Sequence, residues 1–177
     1  MDPISSRLRL TIPTEAAYRT LYTARYHPAV TALADDHSHP PTLTEYLAIR
    51  RDRMADTTCI ERVVLIDDAP AGTITAFHFS PVTRACELGI VLVFPHHWGQ
   101  GLGPEAIRQF FDLLRRHGVK RVTLETLENN LRAQHAFQKV GFRETRRYTD
   151  LSIHQRLVVM QCALSPVSNP PQQQQKP

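Results

Sequence analysis

Cysteine is scarce: Cys59, Cys86 and Cys162 are the only three, far apart and without C-x-x-C spacing. An odd, scattered set supports neither a disulfide framework nor a zinc site, and it fits a reducing cytoplasm. No apolar run approaches the roughly 18 residues that a membrane span needs. The N-terminus, MDPISSRLRL, lacks the charged-then-apolar layout of a secretion signal. Concentrated charge is missing too. A net charge of +4 over 177 residues favours an anionic ligand mildly, but there is no basic stripe of the kind that holds nucleic acid. Metal-ligand spacing is confined to His37 and His39 beside Asp35 and Asp36. On a proline-rich segment that pattern reads as an exposed polar loop, and no metal is expected.

What is present is an ordinary globular composition, 42% apolar and 21% charged, sufficient for one well-buried domain. That domain is expected over residues 1–165. The remainder, PVSNPPQQQQKP (166–177), has almost no apolar content and is expected to be disordered. Within the domain the periodicities alternate. RLRLTI sets Leu8, Leu10 and Ile12 on one strand face. Thr14 caps a helix towards residue 34, which Pro28 should break. Thr42 and Glu45 form a capping-box pattern opening a second helix. RVVLIDDAPAGTITAF predicts two strands about a turn at 67–72, and ACELGIVLVF a largely apolar, central strand. Gly89 inside that strand implies a bulge or a close backbone approach. Ile107, Phe110, Phe111 and Leu114 fall at helical spacing, closed by Gly118. RVTLET reads as a strand. Asn130 caps a short helix ending at Gly141, and strands at about 143–150 and 153–164 complete the chain. The result is an α/β chain with a mixed sheet and one right-handed parallel crossover.

Glycine is also sparse, yet Gly99, Gly101 and Gly103 fall within five residues, followed by Pro104. Each glycine costs roughly 0.5–1 kcal/mol in a regular element, so three together imply a backbone shape that side chains would obstruct. A glycine-rich turn aims successive N–H groups inward. The next helix adds its own free N–H groups and a partial charge of about +0.5. Pro104 suits the first helical position, where its missing N–H is no loss. The combination suits a phosphate or pyrophosphate. A Walker loop would need Lys-Ser/Thr where Pro104-Glu105 stands, and the G-x-G-x-G spacing is not the dinucleotide fingerprint.

WGQGLGPEA resembles motif A of the GNAT N-acetyltransferases, (R/Q)-x-x-G-x-(G/A). About 27 residues downstream, NLRAQHAFQKVGF is similar to the family's N-x-x-A-x-x-x-Y-x-K-x-G-F segment, and ELGIVL resembles the strand leading into motif A. Trp98 replaces the common Arg or Gln, as in the RimJ/RimL-like branch, whose acceptors are protein N-termini, polyamines or drugs. The resemblance implies the GNAT fold: a mixed, mostly antiparallel sheet with one parallel, splayed strand pair, flanked by helices. It implies acetyl-CoA as cosubstrate, a small-molecule or peptide amine as acceptor, and the possibility of a homodimer. It also implies a layout. The pyrophosphate lies on the backbone of Gly99, Gln100, Gly101, Leu102, Gly103 and the neighbours of Pro104, beside Trp98. The pantetheine pairs with the backbone at Leu92 and Val93.

Acetyl transfer needs a neutral amine, and an acceptor with a pKa near 10 is mostly charged at neutral pH, so a base or a water relay helps. Glu87, on the strand before motif A, is the first candidate base, with a surface carboxylate paired to an arginine as the plain reading. Glu125 on the neighbouring strand is the second. Asn130 matches the family asparagine near the pantetheine or the acceptor, and serves equally as a helix cap. Phe137 stands where many GNAT enzymes carry the tyrosine that protonates the leaving thiolate, so that mechanism is in doubt and a core role is the plain reading. Tyr148 and Ser152 are further proton sources, His96 and His97 candidate phosphate contacts, and RETRRY a solvated strand face. The rival function is a GNAT fold that senses acetyl-CoA without turnover.

Overall fold

The period-two segments pair into one sheet, and the helical segments pack on its two faces. The computed structural model describes residues 7–33 and 40–165; the Asp35, Asp36, His37 and His39 group and the 166–177 tail lie outside the described residues. In chain order the elements are β1 (Leu8–Thr11), α1 (Glu15–Arg25), α2 (Pro28–Thr31), α3 (Leu43–Ala55), β2 (Ile60–Ile66), β3 (Ala69–Ser80), β4 (Ala85–Leu92), α4 (Leu102–Arg116), β5 (Arg121–Leu127), α5 (Leu131–Gln138), β6 (Arg143–Asp150) and β7 (Gln155–Ala163). The sheet order is β1-β2-β3-β4-β5-β7-β6. Every neighbouring pair is antiparallel except β4 with β5. Among the described residues no helix is long and apolar enough to cross a membrane.

Local chemistry sets most boundaries. Thr14 accepts the N–H of Ala17, and Thr42 and Glu45 close a reciprocal capping box. The helix that starts at Thr14 stops at Arg25, and Pro28 opens the separate α2 with His27 as its cap, because proline cannot continue a helix but suits its first turn. The β2–β3 turn is tighter than the expected 67–72. It consists of Asp67 and Asp68, both in the left-handed region, which aspartate tolerates better than most residues. Arg7 holds the Asp67 carboxylate with two hydrogen bonds of 2.9 and 2.7 Å. Ile12 lies beyond the end of β1 and is 68% exposed, not on the buried face with Leu8.

The larger core lies on one sheet face. There α4 presents Ala106, Ile107, Phe110, Phe111 and Leu114 to Ile74, Leu88, Val122, Leu124 and Phe142. The opposite face carries α1 and α3, with Leu21 against Val63 and a ring cluster of Tyr18, Tyr22, Tyr26 and Tyr46. Residues paired across strands share a face. Thr73, Thr75 and Phe77 of β3 stand opposite Val91, Gly89 and Glu87 of β4, and Thr75 also pairs with Glu61 of β2. Glu87 pairs in turn with Thr123 of β5. All of these belong to the α1/α3 face, since Ile74, Leu88 and Val122 point to the other side.

Gly89 sits under the Phe77 ring without a register shift at that point, so its glycine serves close approach. Gly72 is tighter still: a Cβ there would lie 2.0 Å from the Val91 carbonyl oxygen. Neither backbone can yield without breaking the β3–β4 ladder. Gly72→Ala should therefore lower the unfolding free energy by about 3 kcal/mol, at the upper end of overpacking costs. Urea denaturation with an unchanged m-value would register it.

Candidate active site

The parallel pairing of β4 and β5 lasts for three residue pairs, Ala85–Arg121, Cys86–Val122 and Glu87–Thr123. Both strands continue beyond that point, β4 to Leu92 and β5 to Leu127, without pairing. Their divergence opens a cavity of about 1090 Å³ that passes through the sheet from the α4/α5 side to the α1/α3 side. Single small-ligand sites are roughly 300–1,000 Å³, so there is room for an extended ligand and a second reactant.

The backbone along the gap is partly free. Val93 donates its N–H to Ala71 at 2.9 Å, and hydrogen-bonded pairs alternate along an antiparallel ladder. Val91 and Gly89 therefore turn their backbone groups to β3, while Ile90 and Leu92 turn theirs to the gap. The Leu92 carbonyl accepts the Trp98 indole N–H at 2.8 Å. Of the two expected positions, Leu92 keeps its N–H free on the gap side, and the Val93 N–H is committed to β3. Ile90 is the position that sequence reading missed, because only the register reveals which backbone groups point outward.

At the mouth, Gly99 and Gly101 adopt φ of 76° and 80°, the left-handed region glycine enters freely. The helix α4 opens at Leu102, so Pro104 occupies its third position and not its first. The reason is Gly101, which caps the helix two residues earlier than the proline signal suggested. The first bond of α4 runs from Glu105 N–H to Gly101 O. Pro104 has no N–H to offer, so the free donors there are those of Gly101, Leu102 and Gly103. Among the described residues no acceptor takes them, nor the N–H groups of Gly99 and Gln100. Leu102 and Pro104 send their side chains into the core, leaving backbone alone to face outward. A Cβ on Gly103 would meet no protein atom within 4 Å, and Gly103 lines the cavity. The protein's own packing thus gives no reason for a glycine there; room for something approaching the N–H groups does. Arg132, from the first turn of α5, lies with its guanidinium 3.8 Å from the Trp98 ring centre.

On the α1/α3 face, Glu87 and Glu125 both line the cavity. Glu87 has no arginine partner among the described residues; His78 Nδ1 approaches it at 3.4 Å, and its side chain is 61% exposed. A register shift between Phe77 and Ser80, with His78 at φ 53°, turns that histidine towards Glu87. Glu125 accepts the Tyr148 hydroxyl at 2.7 Å, and this bond pushes the phenol up to about 12. Ser152 is bound instead to Asp150 in the β6–β7 turn. Beneath them Glu61, its side chain 2% exposed, accepts from Tyr18 at 2.8 Å, Thr75 at 3.1 Å and Arg50 at 3.2 Å, with Arg53 at 3.5 Å. One carboxylate thereby joins α1, α3, β2 and β3.

Asn130 caps α5 through Ala133 N–H and donates to Leu33 O at 3.4 Å while lining the cavity. Phe137 also lines it, but is 7% exposed and packs edge-on against Phe142. His96 stacks on Phe94, with His97 tilted against His96 and edge-on to Phe94, outside the cavity lining. Burial and the neighbouring His96 hold the His97 imidazole below its usual range. Cys86 lines the cavity, yet burial pushes its thiol up to about 12.

A nest of free N–H groups at a helix start stands beside a parallel strand pair that parts, a geometry suited to an extended anionic ligand. The profile of the acetyltransferase (GNAT) domain matches residues 7–143. The chain belongs to the GNAT acetyltransferase family. The spermidine N-acetyltransferase of Vibrio cholerae, solved with CoA and spermine, covers 90% of this GNAT chain and 96% of its own length, with TM-score 0.81 and 17% identity. RimL, a ribosomal alpha-N-protein acetyltransferase in complex with coenzyme A, covers 92% and 97% with TM-score 0.81 and 13% identity. AAC(6')-Ib in complex with ribostamycin and coenzyme A covers 89% and 93% with TM-score 0.76 and 18% identity. At these identities the likeness is one of fold. Among curated proteins, none matches the chain in sequence.

Sequence reading missed His78, Glu61, Arg50 and Arg53 in this GNAT site. Glu61 and His78 signalled themselves only as polar residues in largely apolar strands, Arg50 and Arg53 were lost in the charged run 50–53, and nothing local relates Glu61 to α3. Because Glu61 is the shared acceptor of a buried cluster, Glu61→Gln should destabilise the GNAT domain by about 3–5 kcal/mol, the cost of leaving a buried charge without its partner. Thermal and urea unfolding of the variant would measure it.

Proposed function

We propose that the protein is an acetyl-CoA-dependent N-acetyltransferase, in which a primary amine attacks the thioester directly within a ternary complex. The observation that carries this reading is the parting of β4 and β5 beside the free N–H groups of Gly101, Leu102 and Gly103. Together they offer an anion cradle and an unpaired strand edge leading into one cavity. Support comes from neighbours solved with CoA or acetyl-CoA, which include a polyamine and an aminoglycoside enzyme. The finer assignment, to the RimJ/RimL-like branch, draws on Trp98 in motif A, with RimL among the structural neighbours. The free cysteines suit a cytoplasmic setting.

In this reading the residues divide the work. The backbone of residues 99–103 holds the pyrophosphate, where donor geometry and the α4 dipole act together without a cationic side chain. Ile90 and Leu92 pair with the pantetheine amides, which sets the thioester near Glu87. Glu87 receives a proton from the ammonium directly or through water, while Glu125, tied to Tyr148, is the second candidate. An acyl-cysteine route is disfavoured because Cys86, the thiol in the cavity, is held protonated by burial. Phe137 supplies no proton, so the leaving thiolate takes one from solvent or from the departing amine proton; a thiol of pKa near 8.5 leaves tolerably. The sensing alternative draws on Phe137 alone, and is not favoured.

The cradle is tested by Gly103→Val. Gly103 is not in the left-handed region and a Cβ there meets nothing, so the variant should fold, with the branched side chain standing over the free N–H groups. CoA affinity by calorimetry should fall at least about tenfold; an unchanged affinity removes the pyrophosphate assignment.

The base is tested by Glu87→Gln. Release of CoA thiol should slow by about 10²–10⁴-fold at neutral pH with CoA affinity nearly intact. The deficit should shrink as pH rises, since more of the acceptor is then already neutral. Near-normal turnover would transfer the role to Glu125 or to water.

A further inference from the structure

The spermidine and aminoglycoside enzymes among the structural neighbours were solved with polycations, spermine and ribostamycin. The half of the cavity that faces α1 and α3 carries the opposite charge from the one a polycation needs. Five arginines line it: Arg25 from α1, Arg50 and Arg53 from α3, Arg121 from β5 and Arg146 from β6. Their positions are consistent with one face, since Arg121 shares its strand alternation with Thr123, and Arg146 pairs with Val159 opposite Glu125. Against them stand Glu87 and Glu125 in the wall and Glu61 behind it, which among the described residues leaves a surplus of two positive charges. No carboxylate among the described residues pairs with Arg25, Arg121 or Arg146; Arg25 and Arg146 lie only beside rings, Tyr26 and Tyr148. Glu45, in the first turn of α3, is occupied in its capping box and does not line the cavity.

A second observation concerns how rigidly the wall is held. The Arg50 side chain is 10% exposed, and it reaches Glu61 through Nη1 alone. Its Nε–H is buried and meets no hydrogen-bond partner among the described residues. That nitrogen has no surface on the cavity, so an anion would meet the outer guanidinium atoms of the wall, and guanidinium groups match carboxylate or phosphate oxygens in bidentate fashion. Burial among Tyr18, Tyr46 and Phe77 fixes Arg50 and Arg53 by ring contacts of 4.8 to 5.5 Å, so little side-chain freedom remains to be lost on binding.

We infer that the acceptor is a small primary amine that also bears an anionic group, a carboxylate or a phosphate, with the anion held by the arginine wall and the amine directed to Glu87. The single acidic region near the thioester then selects the ammonium end, and the arginines select the other. This rests on the acetyltransferase reading for the amine's fate, but the charge preference itself is a property of the binding site.

The experiment uses the full chain saturated with CoA and matched ligand pairs. Calorimetry compares 4-aminobutyrate with 1,4-diaminobutane, and phosphoethanolamine with ethanolamine; the two pairs distinguish carboxylate from phosphate. At least one anionic amine should bind about tenfold or more tighter than its partner, with the advantage shrinking at high salt. Arg53→Gln should narrow that ratio to about threefold or less. Arg146→Gln, at an exposed strand position where folding is safe, should narrow it as well. Acetyl-CoA turnover with the same amines should follow the same order. Tighter binding of 1,4-diaminobutane or spermine than of either anionic amine overturns the inference, as does undetectable binding of both anionic amines at millimolar concentration, or a ratio indifferent to both arginines. An intact charge preference with no thiol release from any amine upholds the inference and rejects the acetyltransferase reading, so the two fail separately.

Discussion

The parting of β4 from β5 is the constraint on which the rest of this structure depends. Three parallel pairs hold the strands together at Ala85, Cys86 and Glu87, and beyond them the sheet has a gap where a continuous ladder would otherwise run. A gap inside a sheet leaves backbone groups without partners, normally an unstable arrangement. Here the cost is contained on both sides. On one, β3 and β4 pair without a break from Gly72–Leu92 to Phe77–Glu87 and are drawn close by Gly72 and Gly89. On the other, the crossover from β4 to β5 passes through α4, whose apolar face is deeply buried against the sheet. The same crossover brings the start of α4 to the mouth of the gap, so the free N–H groups of the helix and the free strand edge address one space.

The two faces of the gap have different chemistry because strand alternation sorts them. Leu88, Ile90 and Leu124 sit towards α4 and α5, an apolar lining with backbone as the polar component. Glu87, Thr75, Glu125 and the arginines sit towards α1 and α3. Glu61 governs that second face. By holding Tyr18, Thr75, Arg50 and Arg53 at once, it fixes the helices that form the wall and neutralises only part of the charge they carry. A buried ion pair adds little net stability over an apolar core, so its consequence here lies in orientation: the guanidinium groups are set before any ligand arrives.

Motif A and the Asn130 helix were legible in the sequence because glycine spacing, capping residues and helical periodicity are local properties. The capping box at Thr42, the break at Pro28 and the termini at Gly118 and Gly141 all rest on contacts within about four residues. Local signals also misled, as at Ile12, where the period-two pattern ran one residue past the strand. Pro104 marks a helix start, but the left-handed Gly101 moved that start two residues earlier. Asp67 and Asp68 made a two-residue turn where Gly72 had suggested a longer one, since Gly72 serves the neighbouring strand and not the turn.

By itself the sequence determined the order of the elements, the glycine cradle and the family, since each is written in residues adjacent along the chain. The tertiary structure alone decided which backbone groups face the gap, that His78 and not an arginine meets Glu87, and that Arg25, Arg50, Arg53, Arg121 and Arg146 converge on one cavity. The physical reason is sequence separation. Arg25 and Arg146 lie far apart along the chain, and only strand register and helix packing bring their charges together.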